Sequence, residues 1–135
     1  MITLAIVGSR DFRERGVIRR SIARWIERAA AQGDTLRVVS GGARGADTIG
    51  QTEATGLGVD VIVHPALWDL HGKAAGFIRN EDIVRDATVV LAFFAPGAKS
   101  RGTSHTVGLA KKAGKPVYAY HEGAWECHET LDLPQ

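Results

Sequence analysis

The sequence predicts one α/β domain in which a five-stranded, mainly parallel sheet lies between two layers of helices. Short apolar runs alternate with helical stretches along most of the 135 residues. This alternation is typical of βαβ units with right-handed crossovers. The run at 88–94 is almost wholly apolar, as expected of a central parallel strand that is buried on both faces.

The predicted strands are apolar runs that end at glycine, proline or polar residues. They cover residues 2–7, 36–40, 59–64, 88–94 and 116–120. We expect the strand order 3-2-1-4-5, which reverses between the first and fourth strands. Open α/β sheets bind ligands outside the carboxyl ends of their strands at such a reversal.

The predicted helices cover residues 15–32, 45–57, 74–86 and 103–113. Their apolar side chains recur at helical spacing. The side chains expected in the core are Ile18, Ile22, Trp25, Ile26, Ala29, Phe77, Ile83, Val84 and Ala87. The loop before the third helix carries Trp68, which either closes over the crevice or packs in the core. The domain is expected to cover 1–120, and 121–135 is expected to be a C-terminal tail, irregular or in an oligomer contact.

Composition and charge exclude several classes of protein. The formal net charge of +2 is too small to indicate nucleic acid by itself. A single cysteine excludes an internal disulfide and agrees with a reducing compartment. The chain has no signal-peptide pattern and no apolar run as long as a membrane span. We therefore expect a cytoplasmic protein without a membrane partner.

Three turns that carry glycine and arginine each follow a predicted strand, at 8–10, 40–47 and 96–103. Glycine lets the backbone approach an anion, and a following helix offers free N–H groups. Arginine adds a fixed fork of donors for phosphate. These turns predict a site for a nucleotide or a nucleotide-derived phosphate ligand. The predicted ligand-binding residues are Gly8, Ser9, Arg10, Ser40, Gly41, Gly42, Arg44, Gly45, Asp47, Arg79, Asn80, Ser100, Arg101, Gly102 and Thr103.

Each of these features also has a purely structural interpretation. A glycine-rich turn can join a strand to a helix without any ligand, and Arg10 and Arg44 can pair with nearby aspartates. No Gly-Lys-Ser/Thr follows the glycines, and the first turn lacks the G-x-G-x-x-G spacing, so neither a Walker A loop nor a standard NAD enzyme is expected. The histidines are scattered, and Cys127 has no partner at metal-ligand spacing. We predict no metal and no cofactor.

Several spaced motifs resemble the YspA-like branch of the SLOG superfamily, which includes the LOG proteins and the DprA/Smf DNA-processing proteins. They are the segments at 8–12, 40–47, 65–68, 72–80 and 100–103. The resemblance spans about residues 2–120. It implies a Rossmann-like fold with a nucleotide or nucleotide-derivative site at these turns, used for sensing or processing that ligand.

The resemblance also implies two alternative functions. LOG enzymes hydrolyse the N-glycosidic bond of nucleoside monophosphates, and Arg79 resembles their arginine, but Thr106 stands where they have a glutamate. The catalytic candidates for such a hydrolase are Arg79, Asp47 and His105. DprA-like proteins bind single-stranded DNA. The low net charge and the lack of an evident aromatic ladder lead us not to expect nucleic acid as a partner. A homodimer is an open possibility.

Overall fold

The computed structural model describes residues 1–97 and 100–128, except the side chain of His128. Six strands form one sheet in the order β3-β2-β1-β4-β5-β6. The strands are β1 (Ile2–Gly8), β2 (Leu36–Ser40), β3 (Asp60–Val63), β4 (Val89–Phe94), β5 (Val117–His121) and β6 (Ala124–His128). The first five strands are parallel, and β6 pairs with β5 in the antiparallel sense.

Helices connect the parallel strands. They are α1 (Arg15–Ala31), α2 (Ala46–Gly56), α3 (Trp68–His71), α4 (Ala75–Asp86) and α5 (Arg101–Lys112), with a short 3₁₀ turn at Gly72–Ala74. The change of direction between β1 and β4 places α1 and α2 on one face of the sheet and α4 and α5 on the other. No helix among the described residues is long and apolar enough to cross a membrane.

The core consists of two clusters, one on each face of the sheet. Alternate residues of β1 point to opposite faces, so Leu4 and Ile6 join one cluster whereas Ala5 and Val7 join the other. β1 and β4 are buried along almost their whole length. The predicted three-layer α/β/α fold and the order of the first five strands are confirmed.

The predicted number of strands is wrong by one, because Ala124–His128 forms β6 where the sequence suggested an irregular tail. Glu122 and Gly123 both have positive φ, 45° and 86°, which suits a tight two-residue hairpin turn. The turn folds the chain back along β5, and the Trp125 ring packs 5.2 Å from that of Tyr120. Residues 129–135 of the expected tail lie outside the described residues.

The structure excludes one of the two positions considered for Trp68 and corrects the expected core position of Phe77. Trp68 is 56% exposed in α3 and is not packed in the core. Phe77 is also exposed, and its ring lies 4.5 Å from that of His105 on α5. Phe77 faces the rim between α4 and α5, whereas Ile83 and Val84, later in the same helix, face the sheet and are buried.

Candidate functional site

A cleft of about 370 Å³ opens at the carboxyl edge of the sheet, where β1 and β4 are neighbours. It lies at the point where the strand order reverses, as predicted. Among the described residues it is lined by Val7, Gly8, Ser9, Arg10, Asp11, Ala43, Asp47, Arg79, Asn80, Ile83, Ser100, Arg101, Gly102, Thr103 and Thr106.

The structure brings together the turn after β1, the start of α5, Asp47 and the Arg79–Asn80 pair of α4. Part of the predicted set lies apart from them. Five predicted ligand-binding residues of the turn after β2 do not line the cleft: Ser40, Gly41, Gly42, Arg44 and Gly45. Most of the turn at 40–47 therefore lies outside the cleft lining.

A carboxylate of the chain itself fills the turn after β2. Asp47, in the first turn of α2, accepts a hydrogen bond from the backbone N–H of Ala43 at 3.3 Å. Burial raises the pKa of Asp47 to about 6, against the opposing effects of the Ala43 N–H, the Arg79 charge and the backbone N–H groups of Gly41 and Gly8. Asp47 therefore occupies the position that a bound anion would take at this turn.

The glycines of this turn allow close packing within the protein. A Cβ on Gly45, whose φ is +84°, would lie 2.3 Å from the carbonyl oxygen of Ser9. A Cβ on Gly41 would lie 2.8 Å from Nη1 of Arg79 and 2.9 Å from a carboxylate oxygen of Asp47. These contacts explain the glycines without any ligand.

Ser40 is fully buried and organises the same turn. Its hydroxyl donates to the carbonyl oxygen of Asp47 at 3.2 Å and accepts from the Gln51 side-chain amide at 3.1 Å. The backbone N–H of Gly42 also donates to this hydroxyl, at 3.4 Å. Ser40 therefore has no hydroxyl capacity left for a ligand.

The start of α5 is open by comparison. Ser100 is the N-cap residue, but its side chain caps no backbone N–H and donates instead to the Thr103 hydroxyl at 2.5 Å. The first N–H groups of a helix have no intrahelical acceptor. A Cβ on Gly102 would meet no atom within 4 Å. Ala98 and Lys99, which precede Ser100 in the sequence, lie outside the described residues.

Arg79 and Asn80 connect the two turns. The Arg79 guanidinium donates to the carbonyl oxygen of Gly41 at 2.7 Å and to the Asn80 side chain at 3.0 Å. The buried Asn80 amide donates to the carbonyl oxygen of Gly102 at 3.2 Å. The adjacent pair thus fixes the separation of the turns while Arg79 still lines the cleft.

His105, a predicted catalytic candidate, does not line the cleft. Its Nδ1 lies 3.2 Å from the Asn80 amide nitrogen, and its ring packs against Phe77. These contacts place His105 beside Asn80 and outside the cleft lining. No group of three metal-ligating side chains occurs in the part of the chain that the structure describes.

Ser9 and Arg10, adjacent in the turn after β1, have different roles. The Ser9 hydroxyl is buried and accepts from the Ala95 N–H at 3.0 Å, so it joins β1 to the end of β4. Arg10 is exposed, and no carboxylate among the described residues forms an ion pair with it. Its guanidinium is thus available to a ligand.

Five lining residues were not predicted: Val7, Asp11, Ala43, Ile83 and Thr106. Thr106 follows Thr103 by three residues, which places both on one face of α5. Ile83 follows Asn80 by the same interval on α4. Helical spacing from the residues already chosen would therefore have found these two.

The cleft lining combines three arginines with two aspartates. The arginines Arg10, Arg79 and Arg101 come from three different elements. Asp47 is partly protonated near pH 6 because burial raises its pKa to about 6. The cleft therefore favours anions, and its positive character increases as the pH falls through that range.

No family model matches the chain. A curated protein of Mycobacterium phage D29, the Gene 61 protein, is 42% identical over 123 residues, which cover 87% of this chain and 94% of the phage protein. The chain belongs to the same family as this phage protein. The match covers nearly the whole phage protein and most of this chain.

Two solved structures share the fold of this chain. One is DNA processing protein A from Helicobacter pylori, a structure that describes its single-stranded DNA binding mode. It has a TM-score of 0.63 at 20% identity. The other, DNA processing protein A (DprA) from Streptococcus pneumoniae, has a TM-score of 0.65 at 23% identity. The match to the H. pylori protein covers 87% of this chain and 64% of that protein. The match to the S. pneumoniae protein covers 88% of this chain and 50% of that protein.

The DprA neighbours agree with the Rossmann-like fold that the SLOG resemblance implied. They also correct our expectation that nucleic acid is not a partner, because the H. pylori protein with this fold binds single-stranded DNA. The expectation was wrong because a net charge averages over the whole surface, whereas binding depends on charges gathered in one place. The cleft shows such a local concentration of arginines.

Proposed function

We propose that the cleft binds the phosphate groups of single-stranded DNA. The observation that carries this proposal is the convergence of Arg10, Arg79 and Arg101 on one open cleft beside the uncapped start of α5. Helix N-termini and arginine forks both bind phosphate well. The same cleft offers both.

The two exposed arginines provide the main attraction. Arg10 and Arg101 form no ion pair among the described residues, so binding a phosphate breaks no existing salt bridge. Arg79 is held by Gly41 and Asn80 and contributes a fixed charge. Val7 and Ile83 are almost fully buried and form only the apolar floor beneath the cleft.

The relatives support this choice of ligand. Both similar structures are DprA proteins, and the one from H. pylori binds single-stranded DNA. We further propose that the chain belongs to the YspA-like branch of the SLOG superfamily, on the motifs at 8–12, 40–47 and 100–103. In both groups the turns at the carboxyl edge of the sheet would carry the site.

The test is fluorescence anisotropy with a labelled oligothymidylate of about 16 nucleotides. We expect R10A and R101A each to weaken binding about tenfold at low salt and to reduce its salt dependence by about one ion. R44A is the matched control, because Arg44 is exposed in a neighbouring turn but does not line the cleft. Its affinity should stay within about twofold of the wild type.

Equal losses in R44A, R10A and R101A would reject the cleft as the phosphate site and indicate a diffuse attraction. An affinity unchanged in all three variants would also reject it. Circular dichroism of each variant checks that the fold is intact, and all three substitutions are at exposed side chains.

A second candidate function is the hydrolysis of a nucleoside monophosphate. The observation that favours it is Asp47, a buried carboxyl group in the cleft lining whose pKa is raised to about 6 by burial. A carboxyl group whose pKa lies near neutral pH can act as a general acid or base. Incubation with nucleoside monophosphates, followed by chromatography for free base, tests it. Base release by the wild type but not by D47N would support hydrolysis, and no release by either protein would reject it.

A further inference from the structure

A second concave surface lies on the opposite side of β5 from α5. We call it the α1–β6 groove, and its volume is about 750 Å³. It is lined by Val17, Arg20, Ser21, Ala23, Arg24, Trp25, Glu27, Arg28, Leu91, Tyr118, Tyr120, Gly123 and Trp125. It shares none of its lining residues with the cleft.

The groove exists because the sheet extends beyond the helix layer on this face. α1 precedes β2 and packs toward that side of the sheet, whereas β5 and β6 lie beyond β4. The side of α1 and the inner face of β6 therefore form two walls. Leu91, from the central strand β4, lies at the bottom.

One wall of the groove is strongly basic. Arg20, Arg24 and Arg28 recur every four residues along α1 and therefore form one stripe. Glu27 is the only carboxylate among the described lining residues. None of the three arginines forms an ion pair in the described part of the chain. Their charges are available to an anionic partner.

The rest of the groove is aromatic. The ring of Trp25 lies 5.8 Å from that of Tyr118, and the Arg28 guanidinium lies 4.4 Å from the Trp25 ring centre. On the other wall, Trp125 packs edge-on against Tyr120 and remains 45% exposed. Trp25 is far in the sequence from Tyr118, Tyr120 and Trp125, so the aromatic cluster forms only when α1 packs beside β5 and β6.

We propose that the α1–β6 groove is a second contact site for single-stranded DNA, with phosphates on the arginine stripe and bases against Trp25 and Trp125. The inference rests on the proposed function, which it extends to a separate surface. Cationic grooves interleaved with aromatic rings bind single strands because every base has a flat face. An acidic peptide would satisfy the arginines but would leave the aromatic surfaces without a matching partner.

The first experiment compares R24E with R19E in the anisotropy assay. Both residues are exposed arginines on α1, and both substitutions change the net charge equally, but only Arg24 lines the groove. We expect R24E to weaken binding about tenfold and R19E to change it by less than about threefold. Equal effects of R24E and R19E would overturn the groove as a contact site.

The second experiment detects base stacking directly. The chain has three tryptophans, and Trp68 lines neither the groove nor the cleft. In W68F the remaining tryptophans, Trp25 and Trp125, both line the groove. Oligothymidylate should quench the fluorescence of W68F, and R24E in the same background should reduce the quenching at subsaturating DNA. Binding without quenching would overturn the stacking contact.

The two proposals fail in different ways. Loss of affinity in R10A and R101A, with R24E equal to R19E, would leave the cleft in place and overturn the groove. The reverse pattern would overturn the cleft and support the groove. A wild-type protein that binds no oligothymidylate at low salt would overturn both. A third outcome would assign the groove to an acidic protein instead. In that case a polyglutamate peptide binds the wild type but not R24E, and DNA does not quench the tryptophan fluorescence.

Discussion

The turns after β2 and β4 contain similar residue types, but their described residues make different contacts. Both contain glycine, arginine and hydroxyl residues, and both lead into a helix at the carboxyl edge of the sheet. The Asp47 carboxylate accepts a hydrogen bond within the first turn, whereas no side chain in the described part of the chain caps the start of α5. The comparison shows that a glycine-rich turn indicates a ligand only when no group of the chain already occupies its N–H groups.

The largest expected effect contrasts the glycines of the two turns. G45A should destabilise the protein by about 3 kcal/mol or more, because it combines a strained positive φ with a backbone clash. The predicted clash is the 2.3 Å approach to the Ser9 carbonyl oxygen. G102A should keep or slightly raise the stability, since its Cβ meets open space and alanine favours helix.

Urea denaturation of both variants measures this difference. A loss in G102A as large as that in G45A would contradict the view that only the turn after β2 is closely packed. Retention of full stability by G45A would show that the backbone at this turn can adjust without cost.

Much of the fold was predictable because periodicity reports burial directly. The apolar run at 88–94 indicated the central strand, and β4 is indeed buried on both faces. β6 was missed because its hairpin turn is Glu122-Gly123 rather than the more strongly marked Asn-Gly or Asp-Gly. Its alternating side chains also include charged and polar residues, as expected of an edge strand.

The location of the cleft was predictable from topology, but the role of each residue was not. The strand-order reversal located the cleft, and Arg10 and Arg101 line it. Ser9 and Ser40 have the same residue type as ligand-binding hydroxyls, yet their hydrogen bonds hold the chain together. Which acceptor a hydroxyl meets depends on residues brought near by the fold, so the sequence alone left both interpretations open.

A smaller effect is expected from the serines of the two turns. S40A removes a fully buried hydroxyl that makes three hydrogen bonds, and should cost about 1–3 kcal/mol. S100A removes only the hydrogen bond to the Thr103 hydroxyl and no helix cap, and should cost less, about 0.5–1 kcal/mol. Thermal unfolding of the two variants compares them. A greater loss in S100A than in S40A would mean that the start of α5 depends on its serine after all.

The smallest effect concerns the charge that fills the turn after β2. Burial raises the pKa of Asp47 from 3.8 to about 6 in the folded protein. The folded state therefore binds the proton more tightly than the unfolded chain, and the contribution of this group to stability is lost as the pH rises from about 4 through 6. Lowering the pH from about 7 to 5 should restore roughly 1 kcal/mol.

D47N isolates this contribution, because asparagine keeps an oxygen that can accept from the Ala43 N–H but does not titrate. The stability of the wild type relative to D47N, from urea denaturation at each pH, should rise by roughly that amount on acidification. Oligothymidylate binding at neutral pH should also be tighter in D47N, since a negative charge has left the cleft lining. A stability difference independent of pH would mean that Asp47 stays ionised throughout, held by the backbone N–H groups and Arg79 more strongly than burial disfavours its charge.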